Sequence, residues 1–156
     1  MDKKNKTIEK NVLLVWFNGM EIESIRYAIN SFIDNEIIED YNFENGETTF
    51  DDIKMKKLEL EKIEDKFDHK ILNFQFYDGL KISLSKDEIS KLIEITAKEI
   101  DREREIINEL KKEFSLVVKE NEEIIKKKEI FSYKQIYFKE IIRLNDKLKS
   151  RLKLQK

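Results

Sequence analysis

From Lys86 to the C-terminus the chain holds no glycine and no proline, and its apolar residues recur every three or four positions. Nothing in that stretch forces a helix to break, and the spacing gathers the apolar side chains onto stripes. The first stripe is Ile89, Ile93, Thr96, Ile100, Ile107, Leu110, Phe114 and Val117, with Glu103 as its one polar intruder. The second is Ile130, Tyr137, Ile141, Leu144, Leu148 and Leu152. Two long amphipathic stripes in succession predict a helical hairpin with coiled-coil-like packing. Val118, Ile125, Ile106, Phe138 and Ile142 lie off both seams and leave apolar surface on a second side, which calls for a second neighbour.

Local signals say where helices start. A capping residue accepts a hydrogen bond from the amide three positions on, the third side chain answers back, and flanking apolar residues hold the chain in place. Asn18 pairs in this way with Glu21, flanked by Phe17 and Ile22. Ser85 pairs with Glu88, flanked by Leu84 and Ile89, and Ser132 with Gln135, flanked by Phe131 and Ile136. Helices are therefore predicted from near Gly19, Lys86 and Tyr133. A helix from 86 to about 127 would be roughly 60 Å long at 1.5 Å per residue. The Lys126-Lys127-Lys128 run suits a helix C-terminus, so the bend is expected near 128–132, with an earlier bend near Ser115 or Asn121 as the alternative.

Before this arm, Val12 to Phe17 is a continuous run of β-forming residues, read as a strand buried on both faces. The helix after it would bury Ile22, Ile25, Ile29, Phe32 and Ile33 and end near Asp34 or Asn35. Asn45-Gly46 predicts a hairpin. Around Asp78-Gly79 a three-residue loop opposes Phe76 to Leu80, Phe74 to Ile82 and Leu72 to Leu84, which buries one clean face and puts Gly79 in a left-handed bulge position. Residues 53–67 are ambiguous: Leu58 and Leu60 alternate as in a strand, while Ile53, Leu60, Ile63 and Phe67 would line a helix. A strand over about 54 to 63 is preferred, because it adjoins the second hairpin. The expected fold is α+β: a small, mostly antiparallel sheet with one N-terminal helix, then a long C-terminal helical hairpin. Residues 1–7 are expected to be a flexible N-terminus, 8–84 a head domain and 85–156 a helical arm.

Composition narrows the chemistry. The chain of 156 residues is 41% charged with a net charge of −2, well above the roughly 25% charged content of an average domain, and long exposed helices supply the surface for it. The absence of cysteine excludes disulfides, thiolate metal sites and cysteine nucleophiles. The longest apolar run, Val12 to Phe17, is too short to span a bilayer, so a cytoplasmic protein is expected. His69 sits in a polar turn and reads as a surface residue. Glu64-Asp65-Lys66 with Asp52 upstream has the acid-x-Lys order that metal-dependent nucleases use, but in so charged a chain such triplets arise by chance. Three isolated glycines make no phosphate loop. Phe74 and Phe76 share a face with Leu72, Leu80, Ile82 and Leu84, which makes them core residues and not a base-stacking platform. No catalytic, cofactor or metal site is expected.

Charge segregates along the chain. Residues 21–52 hold ten acids (Glu21, Glu23, Asp34, Glu36, Glu39, Asp40, Glu44, Glu47, Asp51, Asp52) against Arg26 alone, a local balance of −9. Residues 124–156 hold eleven Lys or Arg against Glu129, Glu140 and Asp146, a balance of +8. Two candidate surfaces follow. The acidic one, Glu36, Glu39, Asp40, Glu44, Glu47, Asp51 and Asp52, could occupy a basic groove on a partner by mimicking nucleic-acid charge. The basic one, Lys126, Lys127, Lys128, Lys134, Lys139, Arg143 and Lys147, could track a phosphate backbone while Tyr133 and Tyr137 stack on bases. The leading expectation is a non-enzymatic protein-binding or inhibitory module acting by surface occlusion. Small inhibitors encoded by phages and mobile elements, anti-CRISPR proteins among them, are the class to which it points. The expected partner is another protein, with self-association through the arm also expected. A nucleic acid bound by the basic helix is the alternative, and no membrane partner is expected.

Overall fold

The computed structural model describes residues 12–38, 50–68 and 79–153. The elements in order are β1 (Val12–Phe17), α1 (Gly19–Phe32), a wider π-type turn of helix over Ile33–Ile38, α2 (Phe50–Asp65), β2 (Leu80–Ser85), α3 (Lys86–Ser115) and α4 (Glu122–Lys153). The fold is α+β, with the two long C-terminal helices packed against each other.

β1 and β2 form an antiparallel pair in which Leu13 lies opposite Leu84, Val15 opposite Ile82 and Phe17 opposite Leu80. Period-two alternation sends these residues to one face, where Leu13, Val15, Phe17, Ile82 and Leu84 are buried. The expectation that β1 is buried on both faces fails: Leu14 and Trp16 are 59% and 49% exposed. A two-stranded ribbon has only one face on the core, so an unbroken apolar run does not imply double burial here. The clean face expected for residues 80–84 is present and packs beside β1. The strand expected opposite it, residues 72–77, lies outside the described residues, as do the Asn45-Gly46 hairpin, His69, Phe74 and Phe76. Gly79 does not adopt a left-handed backbone. Glycine is required there by close approach, since a Cβ would lie 2.1 Å from the Trp16 ring.

α1 starts as expected. The Asn18 side chain accepts from the Glu21 amide at 2.8 Å, and Glu21 accepts from the Asn18 amide at 2.9 Å. Ile22, Ile25, Ala28, Ile29 and Phe32 are buried, each large side chain being worth about 1.5–3 kcal/mol. The expected end near Asp34 or Asn35 is replaced by the π-type turn, which buries Ile33 and Ile37 and in which the Asn35 side-chain amide donates to the Ser31 carbonyl at 2.8 Å.

Residues 53–67 do not form the expected strand; most of them form α2. Leu60, Ile63 and Phe67 are buried with Ile53 packed beside them, whereas Leu58 is 47% exposed. The seven-three-four spacing of those four residues fits a helix. Phe67 meets Phe17 edge to face, with ring centroids 5.2 Å apart. Among the described residues the head thus contains two helices where one was expected.

The Ser85 capping box is formed, with Glu88 amide to Ser85 hydroxyl at 3.1 Å and Ser85 amide to Glu88 at 2.9 Å. The bend of the arm is not near 128–132. It spans 116–121, the alternative position, because Asn121 caps α4: its side chain accepts from the Ile124 amide at 2.9 Å and its carbonyl from the Ile125 amide at 3.0 Å. Glu122 and Glu123 then fill the first turn, where acids favour the helix dipole. Ser132 lies inside α4 and donates to the Lys128 carbonyl at 3.1 Å. Phe114 and Phe131, edge to face at 5.4 Å, close the far end of the hairpin with the Lys127–Glu113 and Lys128–Glu120 ion pairs.

One hydrophobic cluster joins the sheet, α1 and α2 to Leu92 and Ile95 of α3 and Ile141, Leu144 and Leu148 of α4. The near half of the hairpin is therefore part of the core, and the far half extends beyond it. No described helix is long and apolar enough to cross a membrane.

Candidate partner-binding site

The hairpin is keyed by three polar rungs. Thr96, Glu99 and Glu103 recur on one side of α3 and are all nearly fully buried. Asn145 of α4 donates to the Thr96 hydroxyl at 2.8 Å and to the Ile93 carbonyl at 3.1 Å. Glu99 accepts from the Tyr137 hydroxyl at 2.7 Å, from Arg102 at 3.0 and 3.2 Å and from Ser31 at 3.2 Å. Glu103 accepts from Lys134 at 3.1 and 3.2 Å. A buried carboxylate left unpaired costs several kcal/mol, so these partners hold the two helices in one register more than they add net stability. Burial, reinforced by the Glu99 carboxylate, pushes the Tyr137 hydroxyl far above its usual value of 10.0, leaving it a permanent donor. Sequence reading noticed Glu103 but missed Glu99. The available signal was polar residues at i, i+3 and i+7 on an otherwise apolar side.

Most of the expected basic surface is committed within the fold. Lys134 points inward to Glu103. Lys147 binds Glu21 at 3.0 and 3.1 Å, donates to the Trp16 carbonyl and lies over the Trp16 and Phe17 rings. Arg151 donates to the Leu14 carbonyl at 2.8 Å. Lys127 and Lys128 pair with Glu113 and Glu120, and Arg143 with Glu140 at 3.6 Å. Lys126 and Lys139 are exposed. Tyr133 is 74% exposed, whereas Tyr137 is turned into the rung with Glu99. On the acidic side, Glu36 pairs with Arg102 at 3.4 Å and Asp52 is exposed on α2. Glu39, Asp40, Glu44 and Glu47 lie outside the described residues, as does the side chain of Asp51.

The acid-x-Lys triplet is also used structurally. Lys66 reaches the Ser83 carbonyl at 3.0 Å and Glu88 at 2.7 Å, and Glu64 takes Arg26 at 4.0 Å and Asn30 at 3.4 Å. Burial raises the Glu88 carboxyl, but the Lys66 ammonium and the Ser85 amide and hydroxyl outweigh it and hold it below its usual 4.5. Among the described residues no group of three His, Cys, Asp or Glu side chains is placed to hold a metal.

A groove of about 450 Å³ opens where α1, α3 and α4 meet. Glu23, Ser24 and Tyr27 of α1 form one wall, Ile130, Tyr133, Lys134 and Tyr137 of α4 the other, and Glu103 contributes from α3. Tyr27 and Tyr137 meet edge to face at 5.1 Å. Ile130, Tyr133, Tyr137, Ile141, Leu144 and Leu148 follow one another at three- and four-residue steps along one side of α4. The last three are fully buried, while Ile130 is 51% exposed. The groove is where the core stripe of α4 runs out of cover. No known protein family, no curated protein and no solved structure matches this chain.

Proposed function

We propose that the protein is a non-enzymatic binding module that covers a surface of another protein, with the far half of the helical hairpin as its main contact. The observation that carries this reading is the position of exposed apolar residues. Leu116, Val118, Ile125, Ile130, Tyr133 and Ile136 are half of the large hydrophobics that stand exposed among the described residues, and all fall between 116 and 136. An apolar surface concentrated on a projecting element favours association. The commitment of Lys127, Lys128, Lys134 and Lys147 to carboxylates speaks for this reading over a phosphate-tracking helix, which needs its cations in solvent. Occlusion of a larger machine by a small mobile-element inhibitor, anti-CRISPR-like in class, is the setting that fits. Self-association through the same surface is its homotypic form.

The test is recovery of the tagged chain from its native host with a stoichiometric partner, repeated with Leu116→Glu, Val118→Glu and Ile136→Glu combined. These residues are exposed, so the variant keeps its circular dichroism spectrum and is expected to lose the partner. Retention of the partner by the folded triple variant, or recovery of the chain with nucleic acid only, overturns the proposal.

A further inference from the structure

Besides the sides turned to α3 and to the groove, α4 has a third side that the fold leaves bare. Phe131, Lys134 and Phe138 face α3, where they meet Phe114, Glu103 and Arg104. Ile130, Tyr133 and Tyr137 line the groove toward α1. Glu122, Ile125, Glu129, Ser132, Ile136 and Lys139 follow one another at alternating three- and four-residue steps, which gathers them on one side of the helix, away from α3. All six are exposed, Ile125 and Ile136 by about half. Lys127, Lys128 and Lys134 pair inside the hairpin, whereas Glu122 and Lys139 have no ion-pair partner among the described residues.

Alternating three- and four-residue spacing is the seam of a two-stranded coiled coil, and the order of residues along this seam selects the second strand. Two copies of α4 can lie antiparallel about a two-fold axis midway between Ile130 and Phe131. Ile125 then faces Ile136 of the second copy, Glu122 faces Lys139, and Glu129 faces the Ser132 hydroxyl. By symmetry each of these contacts occurs twice. A shift of one heptad either way puts Ile125 against Glu129 or Arg143 and separates the isoleucines. A parallel alignment in register sets Glu122 on Glu122 and Lys139 on Lys139. Of these alignments only the first matches apolar to apolar and acid to base together, and it also opposes the two helix dipoles.

We propose that the exposed side of α4 is a self-complementary surface that pairs with a second copy of this chain, antiparallel, through Ile125–Ile136 and Glu122–Lys139 contacts. The overlap runs from 122 to 139, about 26 Å at 1.5 Å per residue. This rests on the reading of the far half of the hairpin as a binding element and names the partner and its register.

Sedimentation equilibrium of the full chain, run from about 10 µM to about 1 mM, is expected to show dimers toward the upper end, since two isoleucine pairs and two ion pairs make a small interface. The variants that test it lie at exposed positions, and circular dichroism checks that each keeps its fold. Ile136→Glu is expected to weaken dimerisation about tenfold or more. Glu122→Lys sets a lysine against Lys139, and Lys139→Glu sets a glutamate against Glu122, so each alone is expected to weaken it about tenfold. Mixed together, these two charge variants regain opposite charges at both ends of the overlap and are expected to dimerise with each other. Three results overturn the inference: a strict monomer at about 1 mM, a dimer indifferent to Ile136→Glu, or a mixture of the charge variants no tighter than either alone. If the chain stays monomeric yet leaves its host with a stoichiometric partner, the second-copy assignment falls and the binding-module reading stands. If it dimerises as expected and no other protein is recovered, the pairing stands and the reading as a cover for another protein falls.

Discussion

Tyr137, near the middle of the last helix, donates its hydroxyl to Glu99 at 2.7 Å across the hairpin, beneath the wall of the groove. The contact joins the interior and the candidate surface, because the ring that closes the rung also meets Tyr27 edge to face. Removing the hydroxyl leaves Glu99 with Arg102 and Ser31 but one donor short. Tyr137→Phe is expected to cost about 1–3 kcal/mol, read as a lower urea midpoint with unchanged slope. Tyr137→Ala, which also deletes the ring, is expected to cost more and to open the groove.

The same hydroxyl governs alkaline stability. Its folded value lies above the usual 10.0, so its contribution is fully present below pH 10 and is lost as pH rises toward the folded value. Absorbance titration of the folded protein is expected to leave Tyr137 un-ionised until the chain unfolds, and Tyr137→Phe is expected to reduce the late step.

Glu88 behaves in the opposite sense on the acid side. Its folded carboxyl lies below the usual 4.5, so its contribution is present above that pH and is lost as pH falls through the folded value. Glu88→Gln is expected to lower stability at neutral pH and flatten the decline below pH 4.5. A parallel decline in wild type and variant counts against the Lys66–Glu88 pair as its source.

Thr96 and Asn145 form a neutral rung and so test specificity apart from charge. Asn145→Ala removes the donor to the Thr96 hydroxyl, which keeps its own bond to the Leu92 carbonyl at 2.8 Å, and leaves a void, which costs about 2–4 kcal/mol. Thr96→Val combined with Asn145→Leu is expected to restore most of that loss, while hydrogen exchange along α3 and α4 quickens as the register loosens. Slower exchange in the double variant would show that the rung does not set the register.

Lys147 and Arg151 shield the outer edge of β1 by donating to the carbonyls of Trp16 and Leu14. Four residues of helix rise about 6.0 Å and two residues of strand about 6.6 Å, so the two cations match alternate carbonyls. Unpaired strand edges invite association. Lys147→Met with Arg151→Met is expected to destabilise by about 2–4 kcal/mol and to shift the fluorescence of Trp16, the only tryptophan. It is also expected to promote aggregation, checked by light scattering.

What could be read from the residues alone was local. The boxes at Asn18 and Ser85 close within four residues, and the stripe from Ile141 to Leu148 follows helical spacing alone, so no distant contact was needed to place them. The failures are equally specific. Ser132 and Asn121 carry competing start signals, and the choice fell to Asn121 because pairing Phe114 with Phe131 and Lys127 with Glu113 requires the chain to turn before 122. Residues 53–67 fit both periods over a short span, and the helical one prevails because it puts Leu60, Ile63 and Phe67 into the shared core together, beside Ile53, and leaves Leu58 outside. Charge bookkeeping along the chain marked the last helix as basic but could not assign Lys134 to Glu103 or Lys147 to Glu21, pairs separated by 31 and 126 residues. The amino-acid sequence determined where α1 and α3 start and which residues are apolar. Only tertiary packing decided which charges are spent inside and where the apolar stripe of α4 is left uncovered, because both depend on contacts between residues far apart in the chain, such as Lys134 with Glu103 and Lys147 with Glu21.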